Sequence, residues 1–271
     1  MILDGHIHIM ERGKDSPADF RRKLKAAGID GGTVISEPSH GRPGSIRSRI
    51  EKALAFAKAG LNLYPFFWIE PMEKDALVQV DTAIRMGVKG FKVICQKYPP
   101  YDPKAMKVFR KIAARGYPLM FHSGILWDGG PSSIYNRPAN WECMLDIKGI
   151  RFSLAHISWP WVDENVSVYG KIESARGWRN RAACEMFIDT TRGTPDIYRH
   201  DALFKVFKIG YDVSRNVFFG TDNLANSFDA PRGAKMVSDD RRILSKLLVP
   251  ATLVRNYFSE NLKRFVEGGG R

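Results

Sequence analysis

Short apolar runs rich in β-branched and aromatic residues recur along this chain, and between them the apolar positions fall three and four apart. The runs are Ile2–Ile9, Thr33–Glu37, Leu61–Ile69, Val88–Ile94, Tyr117–His122, Arg151–His156, Cys184–Asp189 and Asn216–Gly220. The helical spacing predicts helices over Pro17–Gly28, Ser45–Ala59, Lys74–Met86, Pro103–Arg115, Trp141–Ile147, within Asp163–Arg181, and over Asp201–Ile209. Two more, Asp239–Leu248 and Pro250–Val266, close the chain. Ser16 before Pro17 reads as an N-cap and first helical turn, and Gly28, Gly60, Gly87 and Gly116 read as helix stops. Eight strands, each followed by a helix at a spacing of about thirty residues, predict a parallel sheet buried on both faces. The 271 residues are close to the ~250 of a (β/α)8 TIM barrel. A doubly wound open sheet is the alternative. It would carry a glycine-rich phosphate loop after its first strand, and Met10-Glu11-Arg12-Gly13-Lys14 is not one. One α/β domain is expected over residues 1–267, with a flexible tail at 268–271.

A barrel of this kind presents its chemistry at the C-terminal ends of its strands. The first strand ends in His6-Ile7-His8, the fifth in Phe121-His122-Ser123, the sixth in Ala155-His156-Ile157, and the eighth run leads into Gly220-Thr221-Asp222. Residues two apart on a strand share a face, so His6 and His8 aim at one spot, and Asp4 has the same parity. Two imidazoles on one strand end are a natural pair of metal ligands. Taken singly, His122 or His156 reads equally as a hydrogen-bonded core histidine. Four of the six histidines fall at strand ends; His40 follows the second strand and His200 precedes the eighth.

The ordered set His-x-His, His122, His156 and Asp222 resembles the amidohydrolase superfamily. Gly90-Phe91-Lys92, Ala155-His156, Gly220-Thr221-Asp222 and the closing Phe258-Ser259-Glu260-Asn261-Leu262-Lys263-Arg264-Phe265 resemble its amidohydrolase-2 branch. That branch includes aminocarboxymuconate-semialdehyde decarboxylase and dicarboxylate lactonases. The resemblance spans residue 2 to about 266 and rests on the order of the motifs, none of which is specific alone. It implies that His6, His8, His122 and Asp222 bind one divalent metal ion. Zn²⁺ suits three imidazoles and a carboxylate, with Mn²⁺, Fe²⁺ or Co²⁺ as alternatives. It implies that Asp222 also serves as general base and that His156 orients or protonates the substrate. Some relatives carry a carboxylated lysine bridging two metals on the fourth strand; Lys92 is read instead as a non-bridging residue that meets a substrate carboxylate or sits as a buried cation.

The loops after the strands bring Trp68, Trp127, Arg192 and, after the first strand, Arg12 to the expected mouth. They predict a pocket for a flat, small, anionic molecule, with Arg192 or Arg12 gripping a carboxylate. Net charge is +13, but Lys and Arg recur in every helical stretch, which fits solvated helix faces better than a nucleic-acid surface. No apolar run approaches the ~20 residues of a membrane span, and no signal peptide is expected ahead of a strand that starts at residue 2. Three scattered cysteines exclude a disulfide framework and point to the cytoplasm. Two chemistries fit: hydrolysis of a C–O or C–N bond by metal-activated water, and non-oxidative decarboxylation at the same metal site. An inactive barrel that binds polyanions ranks below both. A trinuclear polymerase-and-histidinol-phosphatase barrel, which also opens with His-x-His, ranks lower still. The expected partner is a small molecule, with a homodimer or higher homo-oligomer as a further option.

Overall fold

A computed structural model of the chain describes residues 1–39, 45–178 and 184–268. His40, the end of the stretch expected to reach Arg181, and residues 269–271 of the tail lie outside the described residues.

Strands β1 (Leu3–His8), β2 (Gly31–Ile35), β3 (Leu63–Trp68), β4 (Gly90–Val93), β5 (Leu119–Phe121), β6 (Arg151–Leu154), β7 (Glu185–Asp189) and β8 (Val217–Phe218) pair in sequence order. All ladders are parallel. A ninth strand, β9 (Asn223–Leu224), follows β8 directly and pairs with β1 at Ile7 and His8. The two ends of the sheet also meet through Gly5 N–H to Phe219 O at 2.8 Å and Asp222 N–H to His6 O at 3.0 Å. Strand 1 therefore lies beside strand 8, as the TIM-barrel reading requires.

The helices cover the outside. They are α1 (Pro17–Ala26), α2 (Ile46–Ala57), α3 (Ala76–Met86), α4 (Pro103–Ala114), α5 (Val162–Trp178), α6 (Asp196–Lys208) and α7 (Ala230–Lys246), followed by α8 (Ala251–Arg255) and α9 (Asn261–Glu267). Ser16 caps α1 through a reciprocal bond pair with Asp19. Helix α6 begins five residues before the expected Asp201, and three further segments differ from their sequence reading. The helix expected at Trp141–Ile147 is a pair of 3₁₀ helices, Pro131–Asn136 and Pro138–Asp146; Pro138 stands at the junction, where it cannot continue a helical hydrogen-bond ladder. Helix α7 begins nine residues before the expected Asp239, capped by Asp229, despite Gly233. The closing helix is interrupted by a π turn over Asn256–Glu260.

Two apolar regions divide the core. One lies between the strands and the helices. The other fills the barrel interior with Leu3, Ile35, Phe66, Met120, Phe187 and Phe218, plugged from below by Phe265 of α9. Ring centroids of Phe265 stand 5.1 Å from Phe187 and 5.3 Å from Phe218. Strand alternation then fixes what lies above this layer. Two residues on from Met120 comes His122, two on from Phe187 comes Asp189, and two on from Phe66 comes Trp68. The interior is apolar below and polar at the mouth.

Candidate metal centre

The β1 register slips between Asp4 and Ile7, where β1 advances one residue more than β2. This bulge separates Asp4 from the parity assigned to it. Asp4 does not face the spot shared by His6 and His8. Its carboxylate is buried and accepts from His6 N–H at 3.0 Å, Thr221 N–H at 2.9 Å and Thr221 Oγ1–H at 2.5 Å. Burial, outweighing these donors, raises its pKa to about 7. Asp4 is a closure residue that ties the bulged strand to the turn carrying Asp222.

Beyond the bulge, His6 Nε2 and His8 Nε2 stand 3.0 Å apart. Asp222 Oδ1 is 3.9 Å from the first and 3.4 Å from the second. Asp222 reaches this position with a left-handed backbone, φ 56°. The three ligand atoms form a compact set. Four donors at about 2.0–2.1 Å from a tetrahedral ion lie about 3.4 Å from one another, so this spacing fits a Zn²⁺-sized ion. Behind His6, Asp189 Oδ2 accepts from Nδ1 at 2.8 Å, and both side chains are wholly buried. That bond puts the proton on Nδ1 and leaves the Nε2 lone pair facing His8 and Asp222. Asp189 also accepts from Thr191 N–H at 2.8 Å and from the Thr191 hydroxyl. Burial pushes the Asp189 pKa up, opposed by nearby His156, by Thr191 and by Lys92. Burial also carries His6 and His8 well below the ordinary imidazole range; Lys92 adds to the shift of His6, and His6 to that of His8. Both rings are neutral at neutral pH, as metal ligands must be.

On the facing side stand His122 and His156, with ring centroids 4.9 Å apart; His156 is 5.3 Å from His6. His122 is not in the three-residue cluster. Its Nε2 faces the Ile125 carbonyl at 3.2 Å. Burial lowers the pKa of both rings. His156 lies in a left-handed turn with Ile157 and Ser158, φ 64°, 49° and 52°, a conformation that costs a β-branched residue on the order of 1–3 kcal/mol. The loop after β7 must pass close by: a Cβ on Gly193 would stand 2.9 Å from His156 Cβ.

A cavity of about 460 Å³ opens above these groups, lined by His8, Lys92, His122, His156, Asp222 and the indoles of Trp68, Trp127 and Trp159, with Met10, Ile94 and Leu224 among its apolar walls. Lys92 is wholly buried, with Nζ 3.3 Å from His6 Nε2. Burial lowers its pKa to about 8, against the opposing charges of Asp189 and Asp222.

Two expected substrate residues are elsewhere. Arg192 turns away from the cavity and pairs with Asp196 at 2.5 Å and Asp239 at 3.0 Å. Its charge is spent on the start of α6 and the middle of α7. Arg12 is exposed on the loop after β1 and does not line the cavity. Sequence reasoning missed Asp189. Its one signal is its place at the end of β7, on the inward parity of Phe187.

No protein-family model and no curated protein matches the sequence. Solved structures do match. A probable 2-pyrone-4,6-dicarboxylic acid hydrolase from Acinetobacter baumannii, with citric acid bound, superposes with a TM-score of 0.61 at 11% identity, over 99% of each chain. A protein described as amidohydrolase 2 from Bifidobacterium longum subsp. infantis gives 0.60 at 11% identity, over 98% of each chain. Dihydroorotase from Campylobacter jejuni gives 0.62 at 12% identity, over 100% of this chain and 84% of that one. The chain has the TIM-barrel-like fold of these neighbours.

Proposed function

We propose that the chain, over residues 1–267, is a metal-dependent hydrolase of the amidohydrolase-2 type that opens a C–O or C–N bond of a small anionic substrate. The observation that carries this reading is the convergence of His6 Nε2, His8 Nε2 and Asp222 Oδ1 at tetrahedral spacing, with Asp189 fixing the His6 tautomer. These three residues hold one divalent ion, Zn²⁺ first among the candidates. His122 is the fourth donor: its Nε2–H donates to the Ile125 carbonyl, which leaves the Nδ1 lone pair for the ion. The ion, when bound, supplies Lewis acidity and lowers the pKa of a water molecule. Asp222 accepts a proton from the attacking water. His156, across the cavity, donates a hydrogen bond to the substrate oxygen, and the proton taken up by Asp222 passes to the leaving group. Lys92 meets a substrate carboxylate from the cavity floor. Trp68, whose ring lies 5.4 Å from that of His8, and Trp127 flank a flat substrate. Arg192 and Arg12 have no part in binding it.

The reading is tested by elemental analysis of protein purified without chelator, followed by assays on panels of lactones, amides and aromatic acids. Stoichiometric transition metal with lactone or amide turnover is expected. A protein that neither carries nor takes up metal overturns the mechanism. Release of CO2 from an aromatic acid without hydrolysis replaces it with the decarboxylase reading.

A further inference from the structure

Behind the ends of β7 and β8 lies a buried polar cluster that the proposed chemistry does not touch. Arg199 on α6, Asp240 on α7 and Tyr257 in the π turn are each almost wholly enclosed. Arg199 donates to both oxygens of Asp240, through Nε at 3.0 Å and Nη2 at 2.6 Å. The Tyr257 hydroxyl donates to Asp240 Oδ2 at 2.6 Å. Its one proton is thereby used; Thr190 Oγ1 stands 2.7 Å from the phenol oxygen and shares its own proton between that oxygen and the Phe218 carbonyl at 3.1 Å. Arg199 Nη1 reaches the Thr190 carbonyl at 2.6 Å. Tyr257 also grips the neighbouring strand: its carbonyl accepts from Phe219 N–H at 3.1 Å.

Each contact lies next to a site group. Thr190 is bonded to Asp189 in the chain, and Asp189 orients His6. Phe219 is three residues before Asp222. Tyr257 is thus bonded at one end to the strand bearing the orienting carboxylate and at the other to the strand bearing the ligand carboxylate. The π turn over Asn256–Glu260 is the local departure from α-helix at which this residue sits. A buried ion pair is a poor source of stability, since apolar packing commonly replaces it without loss. What a fully bonded Arg–Asp–Tyr set supplies is fixed geometry.

We infer that Tyr257, Arg199 and Asp240 form a clamp that sets metal affinity by fixing the spacing of the β7 and β8 ends, and with it the relation of Asp189 to Asp222. They are positioning residues, and the inference rests on the metal centre proposed above. The test compares Zn²⁺ Kd, by competition with a chromophoric chelator, with thermal stability. Tyr257→Phe and Thr190→Val each break the Tyr257–Thr190 contact, the first also freeing Asp240 Oδ2 and the second the Phe218 carbonyl. Each is expected to raise the Kd about tenfold, the low end of the range for groups that orient metal ligands. Tyr169→Phe is the control: its buried hydroxyl bonds the Asp212 carbonyl at 2.7 Å, away from the centre, and its loss is expected to lower Tm without changing Kd. Metal uptake with an unchanged Kd in both Tyr257→Phe and Thr190→Val overturns the clamp alone. Absence of uptake by the unaltered protein overturns the metal centre and the clamp with it.

Discussion

The two flanks of the mouth carry similar residues in different settings. On the β1, β7 and β8 flank, carboxylates hold the site. Asp189 fixes the His6 ring and Asp4 fixes the His6 backbone. On the β5 and β6 flank, no carboxylate hydrogen-bonds His122 or His156 among the described residues. His122 faces a carbonyl, and the buried Nδ1 of His156, like that of His8 on the other flank, has no hydrogen-bond partner among the described residues. A ring locked by a carboxylate keeps one lone pair at a fixed point, which suits an ion. His156, across the cavity and outside the proposed ligand set, is left to meet the substrate. The arrangement divides four strand-end histidines, alike in the sequence, into three proposed ligands and one substrate-facing group.

The largest effect is expected from removing a ligand on the locked flank. Asp222→Asn or His6→Ala should abolish stoichiometric metal and lower turnover by on the order of 10³-fold or more, read by metal analysis and kcat/KM. Full metal content with normal turnover in Asp222→Asn would break the division at its root. Next comes the open flank. His156→Ala should keep the metal and lower kcat by about 10²-fold, the low end for loss of a fixed donor to the substrate oxygen. If His156→Ala loses its metal instead, His156 belongs to the ligand set.

Asp189 sharpens the comparison. Asp189→Asn preserves shape but turns one oxygen into a donor that faces His6 Nδ1–H. The ring must flip or lose its bond. Metal affinity should fall by about thirtyfold, within the range for orienting carboxylates, with less effect on the KM of the metal-saturated protein. A chelator titration in parallel with steady-state kinetics separates the two quantities.

The flanks were unequally legible in the sequence. His6, His8 and Asp222 could be placed because a strand period of two and the barrel's C-terminal mouth jointly determine where they point. Asp189 could not. It ends an apolar strand as aspartates often do, and only the fold shows that His6 lies against it. Asp4 was misplaced because a bulge adds one residue and breaks the parity on which its assignment depended. Arg192 was misjudged for a related reason: proximity in sequence to a strand end says nothing about acidic residues that α6 and α7 bring beside it, and Asp239 is 47 residues away. Eight strands were found near their observed bounds, because apolar runs of β-branched and aromatic residues are local signals. The two-residue β9 was not, since it forms only where the chain meets β1.

Lys92 lies between the flanks and gives the smallest expected effect. Its Nζ is 3.3 Å from His6 Nε2, yet it lines the cavity toward His122 and His156. Burial disfavours its charged form and lowers its pKa from 10.5 to about 8. The direction follows: the ammonium is largely charged at pH 7 and is lost as pH rises through 8. A substrate carboxylate should therefore bind best below pH 8. An ion pair at a partly wet cavity wall is worth about 1 kcal/mol, which corresponds to about fivefold in affinity. The Kd of a small dicarboxylate, measured by calorimetry, should rise about fivefold between pH 7 and pH 9. Lys92→Met should bind it about as weakly at pH 7 as the unaltered protein does at pH 9, with no dependence across that range. An unaltered pH dependence in Lys92→Met would place the anion on the metal side and leave Lys92 as a buried cation serving His6.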